Sequence, residues 1–118
     1  RIFLAGDAAH LNNPLGGLGL NTGIHDCMNI TKKIGDVWFG RAEANVFERY
    51  HRQRHKLATE FLQSVTIENK KRIEESDPEV IKANQNELRD NSENPIKAKA
   101  WLMRSSLLSS VRKEETIE

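Results

Sequence analysis

The sequence has 118 residues, and its 18 basic residues nearly balance its 17 acidic ones, which leaves a formal net charge of +1. This balance provides no overall field to attract nucleic acid or a membrane surface, so neutral small ligands are the expected partners. No apolar run approaches the roughly 20 residues that span a bilayer. The single cysteine excludes an intrachain disulfide and favours a cytoplasmic location.

The chain opens on a short apolar run, Ile2 to Ala5, which is typical of a strand buried on both faces. Gly6 stops this run, and Asp7 follows it directly. In open α/β sheets, ligands bind in the crevice outside the carboxyl ends of the strands. A carboxylate at that position accepts hydrogen bonds from hydroxyl groups. Asp7 is therefore a candidate ligand for a polyol or sugar-like group.

A turn and a cluster of glycines come next, before a helical pattern that begins near Leu20. The glycines of this cluster are Gly16, Gly17, Gly19 and Gly23. Glycine admits positive φ and lets peptide N–H groups approach a ligand without an intervening Cβ. Unpaired N–H donors and the dipole at a helix N-terminus favour a negative or electron-rich edge. The cluster predicts an anion-stabilising pocket beside Asp7, and its GxGxxxG spacing differs from the dinucleotide fingerprint.

This block resembles the second FAD-binding motif of the flavin-dependent aromatic hydroxylases, the para-hydroxybenzoate hydroxylase and phenol hydroxylase-like group. The matching positions form one continuous block with fixed spacings and are Gly6, Asp7, Ala8, Ala9, His10, Pro14, Gly16, Gly17, Gly19, Asn21, Gly23, Asp26 and Asn29. The chain departs from the family at Cys27, where alanine is common, and at Lys32 and Lys33, where a Trp-Lys pair is common. These departures lie beyond the flavin-contacting turn and bear on helix packing.

The resemblance implies FAD as the cofactor. The implied cofactor-binding residues are Gly6, Asp7, Pro14, Gly16, Gly17, Gly19, Leu20 and Asn21. In the family the aspartate holds the ribityl chain, so this role falls to Asp7. The backbone N–H groups of residues 19–21 would face the N1 and O2 edge of the isoalloxazine, and the Pro14 carbonyl would lie near the substrate side.

The activity that the resemblance implies is hydroxylation of a small phenol-like ring with NAD(P)H as electron donor and O2. No residue of this chain is assigned a catalytic role. Two alternatives stay open: another FAD-dependent oxidoreductase, such as a polyprenyl-ring hydroxylase or a non-hydroxylating relative, and a helical interaction or scaffold fragment without activity of its own. The expected partners are a small aromatic substrate and the upstream part of the same protein, and a homodimer stays open.

Histidine, aspartate and cysteine side chains elsewhere do not form a metal site. His51 and His55 lie four residues apart on one helix face, but the arginines between them repel a cation. His10 is expected to bond local backbone at the strand end. Asp26 is expected to face polar groups of the upstream domain, and Cys27 to lie in the core.

The rest of the chain predicts three or four helices. The first should end at Gly40, and its buried face is predicted from Ile24, Cys27, Ile34, Val37 and Trp38. A longer helix from about residue 42 to about 75 carries an apolar stripe of Phe47, Tyr50, Leu57, Phe61 and Val65. Asp77 and Asn94, each followed by proline, predict helix caps. These helices should end near Arg89 and Val111, with a loop over 90–94 and a frayed tail from Arg112.

The predicted fold class is an α/β fragment, with one sheet strand followed by three or four helices that belong to a larger FAD-binding Rossmann-like fold. A single strand is not stable without neighbours, and the chain begins with Arg1. We therefore expect the C-terminal part of a longer protein. Residues 1–40 are predicted to be the last segment of the FAD-binding domain, and residues 41–118 a helical extension that packs on the rest.

Overall fold

The computed structural model describes residues 2–118, which are 75% helical. After a 3₁₀ turn at Gly6–Ala8, the helices are α1 (Leu18–Trp38), α2 (Val46–Leu57), α3 (Gln63–Glu74), α4 (Pro78–Glu93), α5 (Pro95–Ser105) and α6 (Leu108–Glu115). A π-helical turn, Ala58–Leu62, joins α2 to α3 without a break. None of the described helices combines the length and apolarity needed to cross a membrane. Arg1, the first residue of the predicted segment 1–40, lies outside the described residues.

The predicted α/β fold class is wrong for this chain. Residues 2–5 form no ladder, and the described residues contain no strand. A strand needs a neighbour to pair with its N–H and C=O groups, and residues 2–118 supply none. The segment instead lies along α2, where the Tyr50 hydroxyl donates to the Leu4 carbonyl at 2.6 Å. The Phe3 and Phe47 rings also pack there, with centroids 4.7 Å apart.

The contact between Tyr50 and Leu4 predicts a pH dependence. Burial, assisted by the Asp26 carboxylate, raises the pKa of Tyr50 to about 12, so folding favours the neutral phenol. The stability from this group is complete below the ordinary pKa of about 10 and is lost as the pH rises through about 12. Because Tyr50 is the one tyrosine of the sequence, its phenolate absorbance reports this titration directly. Tyr50→Phe should remove this contribution to the alkaline loss of stability, and a phenolate that forms at the ordinary pKa would contradict the prediction.

Glycines bound α1 at both ends. Gly17 precedes the helix at φ +65°, and Gly40 follows its end at φ +68°. L side chains rarely adopt either conformation. The Gly40 N–H donates to the Val37 carbonyl at 3.1 Å, which closes the last turn. The predicted stop at Gly40 is confirmed, and Gly35 lies inside the helix without ending it.

The buried face of α1 is not the predicted one. The buried residues of the helix are Leu18, Thr22, Asp26 and Ile30. The predicted face is open, since Ile24 is 48% and Trp38 81% exposed, and Cys27 is exposed too. The helix turns this face away because Asp26 binds groups of the turn and of α2, as described below. Nothing among residues 2–118 covers the apolar stripe of α1.

A small apolar core joins the start of α1 to the π turn and to the α5–α6 junction. It consists of Leu18, Leu62 and Leu107, against which Phe61 and Val65 pack. Tyr50 and Leu57 are buried as well, so most of the predicted α2–α3 stripe is confirmed.

The two predicted caps are confirmed, but the helices they start have different ends. Asp77 Oδ1 accepts from the Glu79 N–H at 2.9 Å, and Asn94 Oδ1 accepts from the Ile96 N–H at 3.0 Å. Helix α4 runs to Glu93, so the loop predicted over 90–94 is wrong. The helix predicted to reach Val111 breaks at Leu107, which has φ +64°.

Candidate functional site

Asp7 lies in the middle of the Gly6–Ala8 turn. The Gly6 carbonyl accepts from the N–H groups of Ala9 at 2.9 Å and His10 at 3.1 Å, and these bonds close the turn. The Asp7 side chain is exposed and has no hydrogen-bond or ion-pair partner within residues 2–118. Its carboxylate is therefore available to hydroxyl groups from outside this part of the chain.

The turn packs backbone to backbone against α1. A Cβ added to Gly23 would lie 3.2 Å from the Gly6 Cα, which is tighter than an ordinary van der Waals contact. The close approach explains glycine at position 23, and φ +60° explains it at position 6. Asp26 lies three residues after Gly23 on the same face of the helix, so its carboxylate reaches the turn.

Asp26 is the centre of a buried ionic cluster. It is 0% exposed, and its Oδ2 accepts from the Gly6 N–H at 2.8 Å. Its Oδ1 accepts from Arg54 Nε of α2 at 2.5 Å, and Arg54 also donates to the Glu114 carboxylate of α6. His10 Nε2 lies 2.9 Å from Asp26 Oδ2 but without hydrogen-bond geometry. The Asp26 carboxylate thus joins α1 to the turn and to α2 directly, and Arg54 links this pair to α6.

This cluster corrects three predictions. Asp26 contacts groups of this chain and not of an upstream domain, His10 faces Asp26 and not local backbone, and Cys27 is exposed. Arg54 is a further member of the cluster, to which the sequence analysis gave no role in the site. The available signal was its position four residues after Tyr50, on the same stripe as the apolar residues of α2.

A second polar cluster docks α6 on α1 and α2 through Gln53. The Gln53 Oε1 accepts from Asn29 Nδ2 and from Lys33 Nζ, both at 2.9 Å. Its Nε2 donates to the carbonyls of Glu114 at 3.0 Å and Ile117 at 2.9 Å. Burial lowers the pKa of Lys33, although Glu114 opposes this shift. The tail predicted to fray from residue 112 is instead helical and docked.

The loop before α1 is held by local hydrogen bonds. Asn13 Oδ1 accepts from the Leu15 N–H at 3.1 Å, and the Pro14 carbonyl accepts from the Gly17 N–H at 3.0 Å. Gly16 has φ +113°, and a Cβ there would lie 2.8 Å from Asn69 Nδ2 of α3. The conformation of the backbone and the contact with α3 both explain the glycine at this position.

The start of α1 is open to a ligand. No side chain caps the helix at Gly17, and the first turn holds no acidic residue. The N–H groups of residues 18–20 therefore have no side-chain acceptor, and the helix dipole favours an electron-rich group there. Asn21 Nδ2 donates back to the Gly17 carbonyl at 3.1 Å and steadies this end.

Gly19 has no structural explanation inside this chain. It is helical, and a Cβ added to it meets no heavy atom within 4 Å. Neither positive φ nor close packing within residues 2–118 requires glycine there, and glycine in a helix is unfavourable relative to alanine. Glycine is also needed where a bound group approaches the backbone, and this is the reason that the predicted FAD site would supply. The open N–H groups and this bare backbone fit the flat, electron-rich edge of a flavin.

A protein-family model described as FAD binding domain matches residues 1–65, which are more than half of the chain. This chain belongs to the FAD-binding domain family. FAD is therefore its cofactor, and the predicted resemblance to flavin-dependent aromatic hydroxylases is confirmed. The matched segment contains both the Asp7 turn and the glycine loop. No solved structure matches the chain significantly.

Curated relatives of this FAD-binding chain are monooxygenases by name. Tetracenomycin B2 monooxygenase-dioxygenase of Streptomyces olivaceus is 39% identical over 77 residues, which are 65% of this chain and 14% of that protein. Pentachlorophenol 4-monooxygenase of Sphingobium chlorophenolicum is 42% identical over 62 residues, 52% of this chain and 12% of that protein. Para-nitrophenol 4-monooxygenase of a Pseudomonas species is 37% identical over 78 residues, 66% of this chain and 19% of that protein. The chain thus spans less than a fifth of each relative.

The eight cofactor-binding residues implied by the motif stay a prediction. The structure places all eight in or beside α1, because the Asp7 turn packs on this helix at Gly23 and the glycine loop leads into its first turn. It also shows that Pro14 and Gly16 have local structural roles, whereas Asp7 and Gly19 have none within residues 2–118.

Proposed function

We propose that this chain is the flavin-contacting part of a longer FAD-dependent monooxygenase that hydroxylates a small phenol-like substrate with NAD(P)H and O2. Membership of the FAD-binding domain family supports the cofactor. The names of two relatives, which specify pentachlorophenol and para-nitrophenol, support the substrate class. The observation that carries the proposal is the uncapped, glycine-lined start of α1 on the same helix as the Asp7 turn.

The proposed cofactor-binding residues are Gly6, Asp7, Pro14, Gly16, Gly17, Gly19, Leu20 and Asn21. The exposed Asp7 carboxylate accepts hydrogen bonds from the ribityl hydroxyl groups. The N–H groups at the start of α1 stabilise negative charge at the N1 and O2 edge, because they are already oriented before that charge develops. When bound, FAD supplies electron transfer from NAD(P)H and the activation of O2.

The rest of the same protein is the proposed cover for the apolar face of α1. This face is largely exposed along its whole length, through Leu20, Ile24, Met28 and Trp38. The described chain has a radius of gyration of 17.4 Å, against about 13–14 Å for a compact domain of this length. In this proposal residues 1–40 complete the FAD-binding domain, and residues 41–118 form a helical extension that packs on it.

The Asp7 assignment is tested by FAD retention in the full-length protein. Asp7→Ala should raise the FAD dissociation constant at least about tenfold, the equivalent of about 1.4 kcal/mol, because a charge-assisted hydrogen bond to the ribityl chain is lost. Flavin occupancy after gel filtration and titration of the apoprotein provide the measurement. Asp36→Ala, which changes a surface carboxylate paired with Lys32 and Arg41, is the matched control. Equal flavin occupancy in the two variants would contradict the assignment of Asp7 to the ribityl chain.

The reaction is tested separately on the full-length holoprotein. Phenol-like substrates should accelerate NAD(P)H oxidation and yield one hydroxylated product per NAD(P)H consumed. Another FAD-dependent oxidoreductase would oxidise NAD(P)H without hydroxylating a phenol, and a scaffold fragment would not hold FAD at all.

A further inference from the structure

We infer that Asp26 is a positioning residue for FAD, which holds the Gly6–Ala8 turn so that Asp7 points at the cofactor. Arg54 in turn fixes the Asp26 carboxylate. The inference rests on the proposed role of Asp7 and extends it to side chains that do not themselves reach the flavin.

The Gly6–Ala8 turn has no cap of its own. Ala5 precedes the turn and has no side chain that can accept a hydrogen bond from it. Asp26, which lies 20 residues further along the chain, accepts the Gly6 N–H at 2.8 Å instead. This bond fixes the Ala5–Gly6 peptide group, and the Gly6 carbonyl of the next peptide accepts the bonds that close the turn, so both peptide groups that precede the Asp7 side chain are held.

The Asp26 carboxylate cannot rotate freely. Arg54 Nε binds its Oδ1 at 2.5 Å, and both side chains are almost completely buried. Arg54 is itself held by the Glu114 carboxylate and by the Thr22 carbonyl at 3.4 Å. Charge-assisted bonds in a buried site are short and directional. Both carboxylate oxygens are therefore committed, with His10 Nε2 also close to Oδ2.

The turn and α1 also pack against each other without a gap. The Gly6 and Gly23 backbones touch, with 3.2 Å from an added Gly23 Cβ to the Gly6 Cα. A shift of Asp26 on α1 is therefore transmitted to the turn and is not absorbed by a gap.

A double-mutant cycle in the full-length apoprotein tests the inference by FAD titration, read as quenching of flavin fluorescence. Asp26→Ala should raise the FAD dissociation constant about tenfold, and this loss should fall below about threefold in an Asp7→Ala background, because coupled residues are not additive. Gln53→Ala is the matched control, since it also breaks a buried polar link between α1, α2 and α6 but does not touch the turn. It should change the constant by less than about threefold.

The arms of the cycle separate the two proposals. A loss from Asp7→Ala with none from Asp26→Ala, or an equal loss from Asp26→Ala in both backgrounds, overturns the inference alone. No loss from Asp7→Ala overturns the proposed role of Asp7 and the inference together. If Asp26→Ala does not fold, Asp26→Asn enters the same cycle: it leaves one acceptor oxygen for the two donors Gly6 N–H and Arg54 Nε, so its smaller loss should likewise shrink in the Asp7→Ala background.

Discussion

Replacement of Arg54 by methionine is expected to lower the free energy of unfolding by about 3–5 kcal/mol, because removing one partner of a buried ion pair leaves uncompensated charge. Arg54 is 4% exposed and binds two carboxylates, Asp26 from α1 and Glu114 from α6. The loss should appear as a lower urea midpoint in the helical circular dichroism signal, with a similar slope.

Arg52→Met is the matched control for this prediction, since Arg52 lies on the same helix with an exposed side chain. Its two contacts, an i,i+4 ion pair with Glu48 at 3.7 Å and a bond to the Glu118 carbonyl at 2.8 Å, lie at the surface, so their loss should cost about 1 kcal/mol or less. Adding Glu114→Gln to Arg54→Met should recover part of the loss by removing one of the unpaired charges. Equal destabilisation by the two arginine variants would show that the Asp26 cluster is not a buried ion pair.

Local signals in the sequence explain the helices that were predicted well. A cap is formed by a side chain and N–H groups two or three residues further on, so Asp77 and Asn94 could be recognised without knowledge of the fold. Gly40 is similarly local, because the helix end needs its positive φ. The break at Leu107 has no such signal, since leucine rarely adopts φ +64°.

The strand and the buried face of α1 could not be predicted in the same way. Apolar periodicity shows that a helix has an apolar face but does not show what covers it. In residues 2–118 the mixed face of Leu18, Thr22, Asp26 and Ile30 is buried, because Asp26 has its partners there, and the apolar face around Trp38 is open. Residues 2–5 have strand composition, but a strand depends on a partner that the described chain does not supply.

The candidate site likewise has one part that could be predicted from the sequence and one part that could not. Asp7 and the glycine loop could be predicted because their spacing lies within one short block of sequence. The cluster around Asp26 could not, since Arg54 lies 28 residues away and Glu114 lies 60 residues beyond Arg54. A charged side chain is assigned to solvent by default, and only the folded chain shows which charges are buried together.

Gly19→Val in the full-length protein is expected to weaken FAD binding by about two orders of magnitude, or about 2.7 kcal/mol, because a branched side chain fills the space where the flavin approaches the backbone. The fold should be unaffected. An added Cβ at Gly19 meets nothing within 4 Å, and valine is a better helix former than glycine. A loss of cofactor affinity without a loss of stability is therefore the result that distinguishes a ligand surface from a packing position.

Gly35→Val provides the matched control, since it makes the same substitution in the same helix. An added Cβ at Gly35 lies 3.9 Å from the Arg41 guanidinium, a flexible surface group that can move away. This variant should keep the FAD affinity of the wild type, measured by apoprotein titration, and the same melting temperature as Gly19→Val. If the two variants bound FAD equally well, Gly19 would not face the cofactor, and the pocket at the start of α1 would have to be assigned to another group. If Gly19→Val lost both affinity and stability, the glycine would be explained by packing against parts of the protein outside residues 2–118.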